Sequence, residues 1–413
     1  MTAAGESTPV FFNPFDPEYP ANPYPHFAEL REHDPIHESL AGPWIVFRYD
    51  DVFRLLRHPE LSVEDRHVAA NARTEMFDEI LAERGQESRT RGNRSILNID
   101  PPDHTRLRRL VSKAFTPRTI EGLRPVVEGL VDDALDRAEA EGGMELIGDL
   151  AFPLPFTVIS EMLGMPDSDR DELRDWSHAI VKTLDPVISE EEIIAALDAS
   201  DAMAAHLDDV IAWKRQHPGD DVLTALIHAE EDGDVLTTDQ LQQQVALLFI
   251  AGHETTVNLI GNGTLALLRN RRELERWRDD PTLDANAVDE LLRYDSPVQF
   301  SRRITVEDTE FGDRVIPGGS FVLAGLASAN RDPDRWGATA DDLDLGRAGA
   351  PQHLAFGSGV HFCLGAALAR LEGQAAIGRL IRRFPELDIA DPGPAWNGRL
   401  NLRGLDRLPL ALS

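Results

Sequence analysis

The chain holds one cysteine, Cys363, in 413 residues. No intrachain disulfide can form, which fits a reducing cytoplasm, and any thiol chemistry belongs to that residue. Basic residues are scarce: 41 Lys and Arg stand against 72 Asp and Glu, for a formal net charge of −31. Nucleic acid needs a basic face for its phosphates, so this balance argues against it, and equally against anionic membrane surfaces. Long apolar runs are missing as well. The longest, residues 245–252, falls far short of the ~20 residues of a membrane span. No charged-then-apolar leader opens the chain, so the expected location is the cytoplasm. No internal repeat is present.

What remains is enough for a large core, since 42% of residues are hydrophobic. Length alone implies roughly two or three domains. A helical pattern covers 25–33 and a strand-like piece 44–47. Residues 61–98 carry many charges and little period, which predicts a long loop with one short helix near 75–83. Segments of this kind are often lids; Met76, Phe77, Ile80 and Leu97 are its ligand-facing candidates, with local core packing the equal alternative for each. Prolines at 101 and 102 and Asp103 then open a predicted helix to residue 115. His104 and Arg108 stand at i and i+4, so both project from one face and suit an anionic ligand. Arg106, Arg109 and Lys113 read as a solvated basic face. Further helical patterns cover 117–142, 156–163, 169–183 and 190–217.

Residues 238–268 form a predicted helix that turns strongly apolar at 245–250 and then reads Ala251-Gly252-His253-Glu254-Thr255-Thr256. A glycine and a charge in a buried helix cost stability. A local rule broken in this way marks a functional site. Leu247, Ala251 and Thr255 recur every four residues on one stripe. Small residues at 251 and 252 leave room for a ligand, with Ile250 beside them. For Leu247 and Ala251 plain core packing is the alternative; for Thr255 it is a hydrogen bond to its own i−4 carbonyl. Downstream, Glu290 and Arg293 lie at i and i+3, an ordinary surface pair by frequency. Val298 and Phe300 follow as pocket-wall candidates.

Cys363 sits in Phe356-Gly357-Ser358-Gly359-Val360-His361-Phe362-Cys363-Leu364-Gly365, ahead of a helical pattern over 364–384. The helix dipole and free N–H groups there favour a thiolate. A lone cysteine is also often an apolar filler. The Gly357-Ser358-Gly359 start of a dinucleotide loop is a third reading, but Phe362 stands where its third glycine belongs.

The whole string resembles the haem-binding loop of the cytochrome P450 family, with His two residues before the cysteine and Gly two after. The resemblance implies a mainly α fold with small β-sheets, the P450 triangular prism, as a single domain over 1–413. Haem b lies in it between the 238 and 364 helices. It implies that Cys363 is the axial iron ligand, a thiolate that favours O–O cleavage, with Phe356 shielding the sulfur and Gly365 and Ala251 lining the haem. His104, Arg108, Arg303 and His361 become propionate anchors, Arg302 leaving a register ambiguity of one. Thr255 hydrogen-bonds the bound dioxygen, in a local widening of its helix, and Glu254 relays protons inward through water. Glu290, Arg293 and Arg347 become a structural trio behind the cysteine loop. Asn401 and Leu402 stand at a hairpin tip that touches substrate, where the polar Asn401 hints at a polar substrate group.

The implied activity is monooxygenation of a mostly apolar small molecule, by hydroxylation or epoxidation, with O2 as co-substrate. The chain has no flavin or iron–sulfur segment, so electrons come from a separate ferredoxin or flavodoxin system, docking near Arg106, Arg109 and Lys113. A peroxide-driven or phenol-coupling enzyme on the same scaffold, and a haem protein that only binds ligand, are the alternatives. The Glu254–Thr255 pair favours O2 activation over both.

Overall fold

The structure, a computed structural model, describes residues 10–85, 94–165, 170–185, 188–231 and 234–412. Residues 86–93 of the segment read as a lid lie outside the described residues.

The N-terminal part builds a sheet edge. Helix α1 (Tyr24–His33) starts on a proline whose fixed φ suits a first turn. Strands β1 (Ile36–Glu38) and β2 (Trp44–Val46) pair antiparallel, and α2 (Tyr49–Leu56) sets Asp50 and Asp51 against its own N-terminal dipole. After β3 (Leu61–Ser62), the helix expected near 75–83 appears as α3 (Ala72–Glu83), opened by an Asn71–Thr74 capping box. Helix α4 (Asp103–Ser112) ends three residues before the predicted stop. The single helix expected over 117–142 is two, α5 (Pro117–Gly122) and α6 (Arg124–Glu141), because Pro125 lacks the N–H that continuation needs.

Strand β4 (Gly143–Glu145) leads to α7 (Pro153–Leu163), α8 (Arg170–Val181) and α9 (Glu190–Gln216), and then to the short α10 (Val222–Ile227) and the β5–β6 pair (Glu230–Glu231, Asp234–Val235). Helix α11 (Thr238–Arg269) is opened by a capping box of Thr237 and Gln240. Beyond α12 (Arg271–Asp279) and α13 (Asp284–Tyr294), β7 (Phe300–Thr305), β8 (Thr309–Phe311), β9 (Arg314–Ile316) and β10 (Phe321–Gly325) follow. Short turns α14 (Leu326–Ala329) and α15 (Pro333–Trp336) enter the meander before α16 (Ala366–Arg383). Strands β11 (Asp388–Ile389), β12 (Ala395–Trp396), β13 (Leu405–Arg407) and β14 (Pro409–Ala411) close the chain.

The largest sheet runs β1-β2-β10-β7-β3 and the second β11-β14-β4; both are small beside the helices, as expected. The main core is where α11, α13, α16, α6 and α7 meet. Fully buried Ile260, Leu267, Ile377 and Leu380 each contribute about 1.5–3 kcal/mol there. Gly263 lets α11 approach closely: a Cβ would stand 2.9 Å from Ile377 Cδ1 and 3.0 Å from Leu291. That crossing fixes the C-terminal third of α11 against the middle of α16.

Candidate active site

The cysteine loop is closed by its own backbone. Cys363 N–H donates to Phe356 C=O at 2.9 Å. Gly357 and Gly359 take φ of +69° and +75°, which L side chains resist. A Cβ on Gly359 would also press 3.0 Å from the Leu56 carbonyl of α2. Cys363 as a residue is half-buried. Backbone N–H groups of Gly365 and Ala366, with Arg108 and Arg370, favour the thiolate as the helix start predicts, yet burial outweighs them and pushes the thiol up. A cation bound at the sulfur reverses that balance. The Arg370 guanidinium lies 4.7 Å over the Phe356 ring, which Phe362 meets edge-on at 6.2 Å.

Above the loop, α11 runs through residues 251–256 as an unbroken α-helix, so the widening that the resemblance implies does not interrupt it here. Thr255 Oγ1 donates to Ala251 C=O at 2.8 Å, the i−4 bond weighed from the sequence. Ala251 is exposed, and Leu247, Ile250 and Thr255 are half-buried, although every residue from 256 to 267 is buried. This stripe therefore borders open space. Gly252 serves a different purpose from the one expected: a Cβ there would come 2.6 Å from Ile159 of α7, so its smallness admits α7, not a ligand. Leu247 and Leu364 pack against the same Ile96–Ile99–Leu107 cluster, which ties the stripe to the cysteine loop.

Glu254 is buried and ion-paired with Arg399, whose Nη2 also lies 3.3 Å from both ring nitrogens of His178 on α8. No sequence signal marked Arg399, which stands 145 residues from Glu254. His253 is fully buried, edge-on to Phe152 at 4.3 Å, with neither ring nitrogen partnered; burial holds it down to about 3.

Four basic side chains converge beside the loop. His104 is buried with both nitrogens unpartnered, its ring 4.3 Å from that of His361. Burial, then His104 and Arg303, hold His361 down to about 3. Arg108 donates to Phe362 C=O at 2.6 Å. Among the described residues buried Arg303 donates only to Arg302 C=O, Leu56 C=O and Ser301 Oγ, and burial pulls it to about 10. Arg302 instead pairs with Asp65 at 2.7 Å and reaches Asn98 at 3.0 Å. Of the two arginines, Arg303 is the one without a carboxylate among the described residues. A group bearing two carboxylates would complete this set.

The remaining pocket candidates divide. Phe77 is buried with Ile80 and Ile193, and Met76 packs on them, so Phe77 is core between α3 and α9 and not a ligand contact. Phe300 is likewise core, edge-on to Phe12 at 5.9 Å and Phe27 at 5.8 Å, because alternation along β7 turns it to the N-terminal aromatic cluster. Leu97 is 45% exposed. Val298 pairs with buried Leu402 across an isolated bridge. Asn401 Oδ1 accepts from Phe300 N–H at 3.1 Å and its Nδ2 donates to Leu184 C=O at 3.3 Å, so its polarity is used by the fold. Arg109 and Lys113 are exposed at the α4 end and Arg106 is half-buried.

Behind the loop, Arg293 is fully buried. It donates to both Glu290 oxygens, at 2.7 and 2.8 Å, and to the carbonyls of Asn330, Ala340 and Asp342. Arg347 joins Glu290 at 3.1 Å.

A family model described as Cytochrome P450 matches residues 48–390. The chain belongs to the cytochrome P450 family. It is 44% identical over 403 residues to Cytochrome P450 107B1 of Saccharopolyspora erythraea, covering 96% of each chain. Among solved structures it is similar to the Bacillus subtilis bacillaene polyketide synthase cytochrome P450 PksS, with a TM-score of 0.86 and 38% identity. That match covers 98% of this chain and all of the other. It is also similar to P450BioI in complex with a hexadec-9Z-enoic acid ligated acyl carrier protein, with a TM-score of 0.87 and 34% identity over 96% and 99% of the two chains. The enzyme is thus an oxidoreductase of the monooxygenase class, with haem b as cofactor and O2 as co-substrate. The unpartnered His104, Arg303 with no carboxylate ion pair among the described residues, and the half-buried Cys363 fit that cofactor's propionates and iron. No helix among the described residues is long and apolar enough to cross a membrane.

Proposed function

We propose that this P450, acting as one domain over residues 1–413, inserts one O2-derived oxygen atom into an apolar acyl or polyketide-like chain. Hydroxylation at C–H is the expected outcome, epoxidation where an alkene lies at the same place. The observation that carries this reading is the open stripe of α11, where Leu247, Ile250 and Ala251 offer an apolar wall directly beside Thr255 and Glu254. The likeness to a polyketide synthase P450, PksS, and to P450BioI in complex with an acyl-carrier protein bearing a fatty acid supports the substrate class, and the second raises delivery on a carrier protein.

When bound, the haem supplies dioxygen activation, tuned by a thiolate ligand. In this reading Cys363 is that ligand, with Phe356 shielding it and Gly365 supplying an N–H to the sulfur. His104, Arg108, Arg303 and His361 hold the propionates. Thr255 Oγ, released from the Ala251 carbonyl, orients a proton toward the open stripe, and Glu254 replenishes it from outside. Electrons arrive from a separate ferredoxin and its reductase, docking at Arg106, Arg109 and Lys113.

Isotopically labelled O2, NADPH, a ferredoxin pair and a panel of free and carrier-bound fatty acyl chains test this. The expected product carries one labelled oxygen and consumes NADPH. Product formed only with added peroxide, or without label, contradicts it.

A further inference from the structure

Two neighbouring acids of α13 have different partners. Glu290 takes Arg293 and Arg347 in the meander, whereas Asp289 turns to the cysteine loop and α16. Asp289 Oδ1 accepts from Arg370 Nε at 2.8 Å and lies 3.1 Å from His353 Nε2. The side chains of His353, Asp289 and Arg370 are 1%, 9% and 28% exposed. The backbone assigns the tautomer. His353 Nδ1 accepts from Ala355 N–H at 3.0 Å, so it carries no proton, and Nε2 donates to the carboxylate. The imidazole is therefore neutral, and one guanidinium beside one carboxylate leaves the network without net charge.

Both partners of Asp289 end on the same ring. The His353 and Phe356 centroids are 5.3 Å apart, and the Arg370 guanidinium lies 4.7 Å over Phe356. The Phe356 carbonyl in turn accepts the Cys363 N–H at 2.9 Å. Arg370 is also one of the two cations that favour the Cys363 thiolate. Asp289 fixes where His353 and the guanidinium stand, and it offsets the charge that the sulfur feels. Charges sheltered in this way are screened less by water and salt than a surface pair.

We propose that Asp289 is a positioning residue on the sulfur side of the haem: it holds His353 and Arg370 against Phe356, balances the guanidinium charge, and so sets the reduction potential of the iron. Reduction adds one negative charge at the haem. A net positive charge nearby raises the potential and a net negative one lowers it. This rests on the reading of Cys363 as the iron ligand.

The test is a spectroelectrochemical titration of the substrate-free holoenzyme. D289N leaves the guanidinium uncompensated and is expected to raise the ferrous-to-ferric ratio at a fixed potential at least about threefold, about 28 mV at about 59 mV per tenfold. R370Q is expected to lower that ratio by as much, R370K to stay with wild type, and D289N/R370Q to return toward it. R383Q makes the same charge change at the far end of α16, where Arg383 pairs with Asp136 and Glu139, and is expected to leave the ratio unmoved. Amide exchange at Ala355 is expected to quicken in D289N. D289N and R370Q shifting the potential in the same direction overturns the proposal, as does a double variant no nearer wild type than either single one. An R383Q shift equal to that of R370Q, or unchanged exchange at Ala355 in D289N, overturns it as well. Should D289N fail to retain haem, R370Q and R370K decide the matter, and equal potentials in the two overturn the proposal. An unshifted carbon monoxide Soret band in the wild type is a separate result, and it overturns the underlying reading of Cys363.

Discussion

Arg293→Lys keeps the charge and removes the fork, so it isolates what the guanidinium does behind the cysteine loop. All five N–H donors of Arg293 are engaged, two on Glu290 and three on the meander carbonyls of residues 330, 340 and 342. An ammonium has three donors on a shorter reach. At least two buried acceptors then lose their partner, at about 1–3 kcal/mol each, so the variant loses about 2–6 kcal/mol. Glu290→Gln leaves both Arg293 and Arg347 uncompensated and costs about 3–5 kcal/mol. Against a total of about 5–15 kcal/mol these are large losses. They fall beside the cysteine loop, since Asn330 Oδ1 also accepts from Leu354 N–H at 2.7 Å. Urea unfolding followed by tryptophan fluorescence is expected to show a lower midpoint at unchanged slope, with weaker haem retention. An R293K protein with wild-type midpoint and full haem content refutes the reasoning.

Thr255→Ala is expected to divert electrons from product to hydrogen peroxide, read as peroxide formed per NADPH, while Glu254→Gln slows turnover itself by about 10²-fold. His253 is held neutral by burial down to about 3. Below about pH 6.5 the unfolded chain takes up that proton first, so stability falls with falling pH, by up to about 1.4 kcal/mol per unit. His253→Leu is therefore expected to flatten the fall of the urea midpoint between about pH 6.5 and 5. Gly404→Ala places a methyl inside the Asn258 side-chain amide, and is expected to cost about 1–3 kcal/mol by the same urea assay.

What the sequence disclosed was whatever is carried by neighbouring residues. The α11 pattern, the Glu290–Arg293 spacing and the loop around Cys363 are local, and periodicity or short spacing reveals them. Proline placement explains why the helix expected over 117–142 is two, since Pro125 ends what the apolar pattern alone would continue. Partners brought together by topology were not legible. Phe300 reads as a wall residue until the aromatics at 12, 27 and 47 are seen behind it. Asn401 reads as substrate-facing until Leu184 and the β7 backbone claim its amide. Arg399 carries no mark at all, because its meaning is Glu254 and that contact is made only by the fold. The thiol was misjudged in balance: the helix start does favour the thiolate, but burial of Cys363 outweighs it without a cation.

The account's central claim is that Cys363 ligates the haem iron as a thiolate. The reduced holoenzyme under carbon monoxide measures this most directly. A strongly red-shifted Soret band that disappears in Cys363→Ala is the predicted result. An unshifted band in the wild type, or the same band in the variant, contradicts it.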